Sequence, residues 1–156
     1  MIKSRYFIVF LFTYIFVVEC LSQQYKYEKD IFDKDKTNIT DQYGNKIGYY
    51  KRDYFDKTKI NIYDANGNSI GNRKDDYFND TKKNYSDENG KQKGYEQKNY
   101  FNDDRVDLKD ENGSNFGYRQ KDYFDPNKIN VYNKSGMKIG YYKKNIFNGN
   151  WEYFPD

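Results

Sequence analysis

Apolar and polar residues recur along this chain with a period of 23. The unit Tyr118–Gly140 reads YRQKDYFDPNKINVYNKSGMKIG and closes on glycine. Steps of 23 toward the N-terminus give Tyr95–Gly117, Asn72–Gly94, Tyr49–Gly71 and Lys26–Gly48, with no insertion. A sixth, partial unit runs from Tyr141 to Asp156. A fixed period of this length marks a repeat architecture, in which each unit is one supersecondary element.

Within a unit numbered 1 to 23, two polar clusters separate alternating β-rich runs. Positions 8–11 (Asp33–Lys36, Asp125–Lys128 with Pro126 second) suit a type I turn, since Asp or Asn bonds back to the chain and Pro presets φ. Positions 16–19 (Asp41–Gly44, Asn133–Gly136) begin with Asp or Asn and end on Gly. That is the signature of a type I turn followed by a left-handed residue and a bulge. Each unit is therefore expected to be one short and one long antiparallel strand. The glycine at position 23 marks a bend or a close backbone approach in the long strand. The fold class that follows is all-β: an antiparallel meander of 23-residue hairpins, forming an elongated repeat sheet or a solenoid.

The two turns also predict a register. Strand pairing outward from positions 8 and 11, with a one-residue bulge at the second turn, puts positions 7, 12, 14, 22 and 1 on one face. In the second unit these are Phe55, Ile60, Ile62, Ile70 and Tyr49; in the fifth, Phe124, Ile129, Val131, Ile139 and Tyr118. This is the expected apolar core face. The opposite face carries a tyrosine row at position 6 (Tyr54, Tyr77, Tyr100, Tyr123) beside a basic row at position 4 (Arg52, Lys98, Lys121). On the same register Arg52 lies opposite Tyr63 and Lys121 opposite Tyr132, within reach of cation–π contact. The third unit is irregular, with Lys83 and Lys93 at expected core positions. Trp151-Glu152-Tyr153-Phe154 reads as a cap over the open edge of the last unit.

Composition changes this picture in two ways. A mean hydropathy of −1.24 with 36% hydrophobic residues would ordinarily signal disorder, but 21% of the residues are aromatic and fall at the fixed period. The 156-residue chain has a net charge of +3, or +2 once Lys3, Arg5 and Glu19 are removed, and its acidic and basic residues are interleaved. This balance gives no reason to expect a nucleic-acid or a membrane partner, and a membrane is expected only through an uncleaved signal or a lipid on Cys20. The N-terminus carries Lys3 and Arg5 and then an apolar run from Tyr6 to Val18, too short to span a bilayer comfortably. Residues 1–22 read as a secretory signal, cleaved after Ser22 or after Cys20. The alternatives are an uncleaved anchor or a lipid on Cys20. Residues 23–156 then form a single repeat domain, secreted or held at the cell surface.

The spacing Asn89-Gly90-Lys91-Gln92-Lys93-Gly94, followed by the pair Tyr100-Phe101 and a turn, resembles MORN-type hairpin repeats in their bacterial variant form. The glycine that such repeats carry after the aromatic strand is present only at Gly149. The fragment Tyr63-Asp64-Ala65-Asn66-Gly67-Asn68 is similar to the YD repeats of large secreted shell proteins, and the aromatic pairs resemble choline-binding hairpins without their tryptophans. These resemblances imply a β-hairpin array used for binding or assembly.

Candidate chemistry is sparse. The chain has no histidine, and its single cysteine lies in the signal region. Aspartates at position 5 (Asp30, Asp53, Asp76, Asp122) and in the turns lack the ligand spacing of a calcium loop. A glycosidase needs one distinct carboxylate pair, not a carboxylate in every repeat. Turn capping and surface ion pairing account for them. The expectation is a non-enzymatic protein with no cofactor and no metal. Its partner is a glycan, a cell-wall or other anionic polymer, or a protein, laid along Tyr54, Tyr77, Tyr100, Tyr123, Arg52, Lys98, Lys121, Tyr63 and Tyr132. A glycan would use the aromatic rings for stacking and the cations for its anionic groups. The alternative is an assembly protein that associates with itself or a partner through its apolar sheet face. Sequons at Asn38, Asn79, Asn84, Asn112 and Asn133 match what an asparagine-rich chain contains by chance.

Overall fold

A computed structural model describes residues 23–156; the proposed signal segment and Cys20 lie outside the described residues. Those residues form twelve strands: β1 Tyr25–Lys29, β2 Lys36–Asp41, β3 Lys46–Arg52, β4 Lys59–Asp64, β5 Ser69–Asp75, β6 Lys82–Asp87, β7 Gln92–Lys98, β8 Arg105–Asp110, β9 Asn115–Lys121, β10 Lys128–Asn133, β11 Lys138–Lys144 and β12 Trp151–Pro155. All pair antiparallel with their chain neighbours. The hairpin meander is as expected. The elongated sheet or solenoid is not: β1 pairs with β12, through Tyr25↔Tyr153 and Tyr27↔Trp151, and the sheet closes into a barrel. Trp151 is thus part of the closing strand and caps no open edge. Closure removes the exposed strand edge that a linear array must otherwise protect. Residues 25–155 complete the ring by themselves.

Both turns form where the residues predict. Lys59 donates its N–H to the Asp56 carbonyl across positions 8–11, and Gly67 donates to the Asp64 carbonyl across 16–19. Gly44, Gly67, Gly90, Gly113 and Gly136 have φ between 79° and 87°, the left-handed conformation this turn demands. The register differs from the expected one. The first loop is wider, closed by the Asp53 N–H to the Lys59 carbonyl, so Arg52 pairs with Ile60 and Tyr50 with Ile62. At the second turn the extra residue is Ile70, inside the strand, so Ile62 pairs with Gly71 and Tyr63 with Ser69. A one-residue change in pairing moves side chains to the other face.

The lumen is therefore lined by positions 2, 12, 14 and 23, joined at position 22 by the bulge residue Ile70, which packs on Ile62 and Tyr50; the expected positions 1 and 7 are not part of it. Position 14 supplies Ile39, Ile62, Tyr85, Leu108 and Val131, all buried. Position 2 supplies Tyr27, Tyr50, Arg73, Glu96, Arg119 and Tyr142, which share that face by pairing. Ile70, the bulge residue, is also buried, whereas Tyr49 and Tyr118 (position 1) turn to the outer wall and Phe55 and Phe124 (position 7) leave the sheet altogether. Position 23 is where neighbouring backbones come closest. A Cβ on Gly94 would sit 2.5 Å from the Lys109 carbonyl oxygen, and one on Gly71 would collide with the Ser86 carbonyl oxygen. In β1 the place of this glycine is taken by Tyr25, which stacks on Tyr153 across the closing seam.

Inside the barrel Glu96, 6% exposed, lies between Arg73 at 3.9 Å and Arg119, which donates to its carboxylate. A tyrosine cluster fills the neighbouring sector: Tyr27 packs on Tyr50 and Tyr142, and Tyr142 on Tyr153. Burial in this low-polarity interior raises the phenols of Tyr27, Tyr50, Tyr85, Tyr142 and Tyr153 above their ordinary pKa.

Candidate functional site

In an up-and-down barrel alternate connections lie at alternate ends. The loops after β1, β3, β5, β7, β9 and β11 therefore form one ring, and each carries an apolar pair: Ile31-Phe32, Tyr54-Phe55, Tyr77-Phe78, Tyr100-Phe101, Tyr123-Phe124 and Ile146-Phe147. All twelve side chains are 77 to 98% exposed. We call this ring the crown.

The loops are built without help from the apolar pair. In the second unit Asp53 Oδ1 accepts the N–H groups of Phe55 (3.0 Å) and Asp56 (3.1 Å), and Asp53 Oδ2 accepts from Asn61 Nδ2 on β4 (2.9 Å). Asp30, Asp76 and Asp122 do the same for their loops. In the fourth unit the two residue types are exchanged: Asn99 takes the loop N–H groups and donates to Asp107 at 2.7 Å. This clamp holds the residue pair outward. The Asn130 amide, together with the loop N–H groups, lowers the Asp122 carboxyl to about 2, and the Asn61 and Asn84 amides lower Asp53 and Asp76 below the usual carboxylate range. Within each Tyr-Phe pair the rings meet edge to face, centroids 5.0–5.1 Å apart.

The structure divides the expected binding residues into two groups. Tyr54, Tyr77, Tyr100 and Tyr123 come together on the crown. Arg52, Lys98 and Lys121 sit just behind it at strand ends, where they pair with loop carboxylates: Arg52 with Asp35, Lys98 with Asp103 and Lys121 with Asp104. Tyr63 and Tyr132 are on the outer wall and belong to a different surface. They stack on Tyr49 and Tyr118, each at 4.6 Å, and the cation–π pairs expected with Arg52 and Lys121 are replaced because those residues lie opposite Ile60 and Ile129. The cations that do meet the wall rings are others: Lys36 and Lys46 over Tyr49, and Arg105 over Tyr118 at 3.9 Å. Around Tyr49 they line an open cleft of about 340 Å³ with Asp33 and Lys51.

Phe55, Phe78, Phe101 and Phe124 were missing from the expected site because the predicted register buried them; they are 90% exposed or more. The signal that would have found them is the Asp or Asn immediately before each pair, which caps a loop and does not continue a strand. The inward triad of Arg73, Glu96 and Arg119 was missed for the same reason, although their opposite charges at one position of consecutive repeats were visible.

No protein-family profile matches the chain, and no curated protein matches it. Among solved structures it is similar to a protein from Arabidopsis thaliana determined by X-ray crystallography, with a TM-score of 0.63 and 10% identity, over 86% of this chain and 80% of that one. At this identity the likeness concerns the fold alone. The MORN and YD resemblances gain no support beyond the regular hairpin meander itself.

Proposed function

We propose that this protein is a non-enzymatic binding module of the cell surface or extracellular space, and that the crown is its adhesive surface. The observation that carries this reading is the exposure of twelve apolar side chains on loops that are closed by their own Asp or Asn clamps. Isolated exposed apolar residues are ordinary on a protein surface, whereas twelve gathered on the loops of one end of the barrel mark an interaction site. Six similar loops also supply avidity, since several weak contacts engaged together bind well. The clamp carboxylates of Asp30, Asp53, Asp76 and Asp122 each accept three hydrogen bonds, which favours a structural role for them over a catalytic one.

The test is binding of residues 23–156 to glycan, cell-wall polysaccharide and intact-cell panels. The combined changes Tyr54→Ser, Tyr77→Ser, Tyr100→Ser and Tyr123→Ser should abolish attachment and leave the far-ultraviolet circular dichroism spectrum intact. Attachment that survives these changes would move the binding surface elsewhere. The alternative reading is assembly, in which copies or a partner protein associate through the crown or through the aromatic outer wall of Tyr49, Tyr63, Tyr118 and Tyr132. Light scattering separates the two readings.

A further inference from the structure

Resting on that reading, we infer that the partner of the crown is the interfacial zone of a lipid bilayer, entered by the six apolar loop tips without a receptor protein. This route is independent of any signal anchor or lipid on Cys20.

Three features point to lipid. The first is separation. Phe32, Phe55, Phe78, Phe101 and Phe147 are each more than 90% exposed, and where a tyrosine neighbours them the ring contact is within the pair, so the loops stand as separate wedges and do not form one packed patch. A protein partner would need six pockets at the spacing of the barrel, whereas a bilayer interface accepts separated wedges anywhere on its surface. The second is chemistry. Phenylalanine at the tip with tyrosine or isoleucine beside it matches the interfacial layer, where an aromatic body is buried and a hydroxyl remains wet. The backbone is prepared as well. The Phe N–H in each loop is bonded to its own Asp or Asn clamp, so this donor is already paired when the tip enters a less polar layer.

The third is charge. The crown segments 29–36, 52–59, 75–82, 98–105, 121–128 and 144–151 together hold twelve basic and twelve acidic residues. Within these segments strand-end cations pair with loop carboxylates, such as Lys98 with Asp103 at 2.8 Å and Lys121 with Asp104 at 3.3 Å. A neutral surface of interleaved charges complements zwitterionic headgroups and has no net attraction for an anionic polymer. Attachment should therefore follow apolar area and not charge. Because the tips ring one end of the barrel, the axis would stand upright on the membrane.

The test is flotation of residues 23–156 with vesicles of pure phosphatidylcholine, and with vesicles containing a minority of phosphatidylglycerol. The protein is expected to float with pure phosphatidylcholine and to gain little from phosphatidylglycerol. It should also remain bound in molar salt, where charge interactions are screened. The combined changes Phe55→Ser, Phe78→Ser, Phe101→Ser and Phe124→Ser should lower partitioning about tenfold or more, with circular dichroism unchanged. Changing the outer-wall residue Tyr132→Ser should leave partitioning unaltered. Binding only to phosphatidylglycerol and lost in salt would overturn the inference, as would crown-dependent dimers in solution that ignore vesicles. If vesicles are ignored while crown-dependent attachment to cells or polysaccharide persists, the lipid inference falls and the binding-module reading stands. If attachment is independent of the crown everywhere, both fall.

Discussion

The two ends of the barrel close their hairpins with the same chemistry and present different surfaces. At the far end Asp41, Asp64, Asp87, Asp110 or Asn133 accepts the N–H four residues on, and a left-handed glycine finishes the turn. Residues at those tips are mostly polar, such as Asn66, Glu88, Asn89 and Ser135. At the crown an Asp or Asn again gathers the loop N–H groups, yet the residues held outward are Ile, Tyr and Phe. Loop closure evidently does not require an aromatic tip. The crown pairs are therefore surplus to folding, and their retention in all six units is a property of the surface.

The largest loss of stability is expected where neither end is touched. Glu96→Leu would leave Arg73 and Arg119 without their shared carboxylate in the lumen, and removing one partner of a buried charge cluster costs about 3–5 kcal/mol. Ile62→Ala should cost about 2–5 kcal/mol through the cavity it leaves. Denaturant unfolding measures both, against crown substitutions that should do far less.

Titration separates the interior from the clamps. Tyr25 is pushed up to about 12 by burial and the Asp41 charge, and burial raises Tyr27, Tyr50 and Tyr85 as well. A raised phenol stabilises the fold below its unfolded pKa of about 10, and that contribution is lost as pH climbs from 10 toward 12. The clamp and loop carboxylates move the other way, Asp122 and Asp56 to about 2. Their contribution is complete above about pH 4 and lost as pH falls toward 2. Circular dichroism should show alkaline unfolding of the whole barrel in the first window. In the second the loss should be smaller, since these carboxylates sit at the surface, partly open to solvent and screened.

A smaller effect probes the clamp alone. Asp122→Asn should lower the melting temperature, and adding Asn130→Asp should restore it, because Asn99 and Asp107 already form the exchanged pair. Failure of the double variant to recover would mean that the pair is not what holds the crown loop. Smaller still is a difference among repeats. The third unit places Lys83 and Lys93 where its neighbours have apolar residues, and amide exchange should be fastest there among the internal units.

The repeat, both turns, the left-handed glycines and the tight approach at position 23 could all be read from residues, because local chemistry dictates them. The faces could not, because they depend on parity. Whether the extra residue falls in the turn or at Ile70, and whether the first loop closes at Asp56 or at Asp53, are choices of one or a few residues that reverse which side chains point inward. Closure of the ring was hidden for another reason. It joins the two ends of the chain, and a periodic pattern says nothing of where its ends meet. The visible cues were exceptions to the period: Tyr25 where other units have glycine, and a last loop one residue shorter, which brings Tyr153 into line with Tyr142. Tyr54, Tyr77, Tyr100 and Tyr123 were identified as exposed, but their phenylalanine neighbours were placed in a core that does not contain them.

The measurement that tests the central claim most directly is thermal unfolding of a variant carrying Ser at Phe32, Phe55, Phe78, Phe101, Phe124 and Phe147. If the crown is surplus to folding, its melting temperature should stay within about 2 °C of the parent, as for other surface substitutions. A fall as large as that of Ile62→Ala would show that the crown phenylalanines hold the barrel together, and would contradict the account.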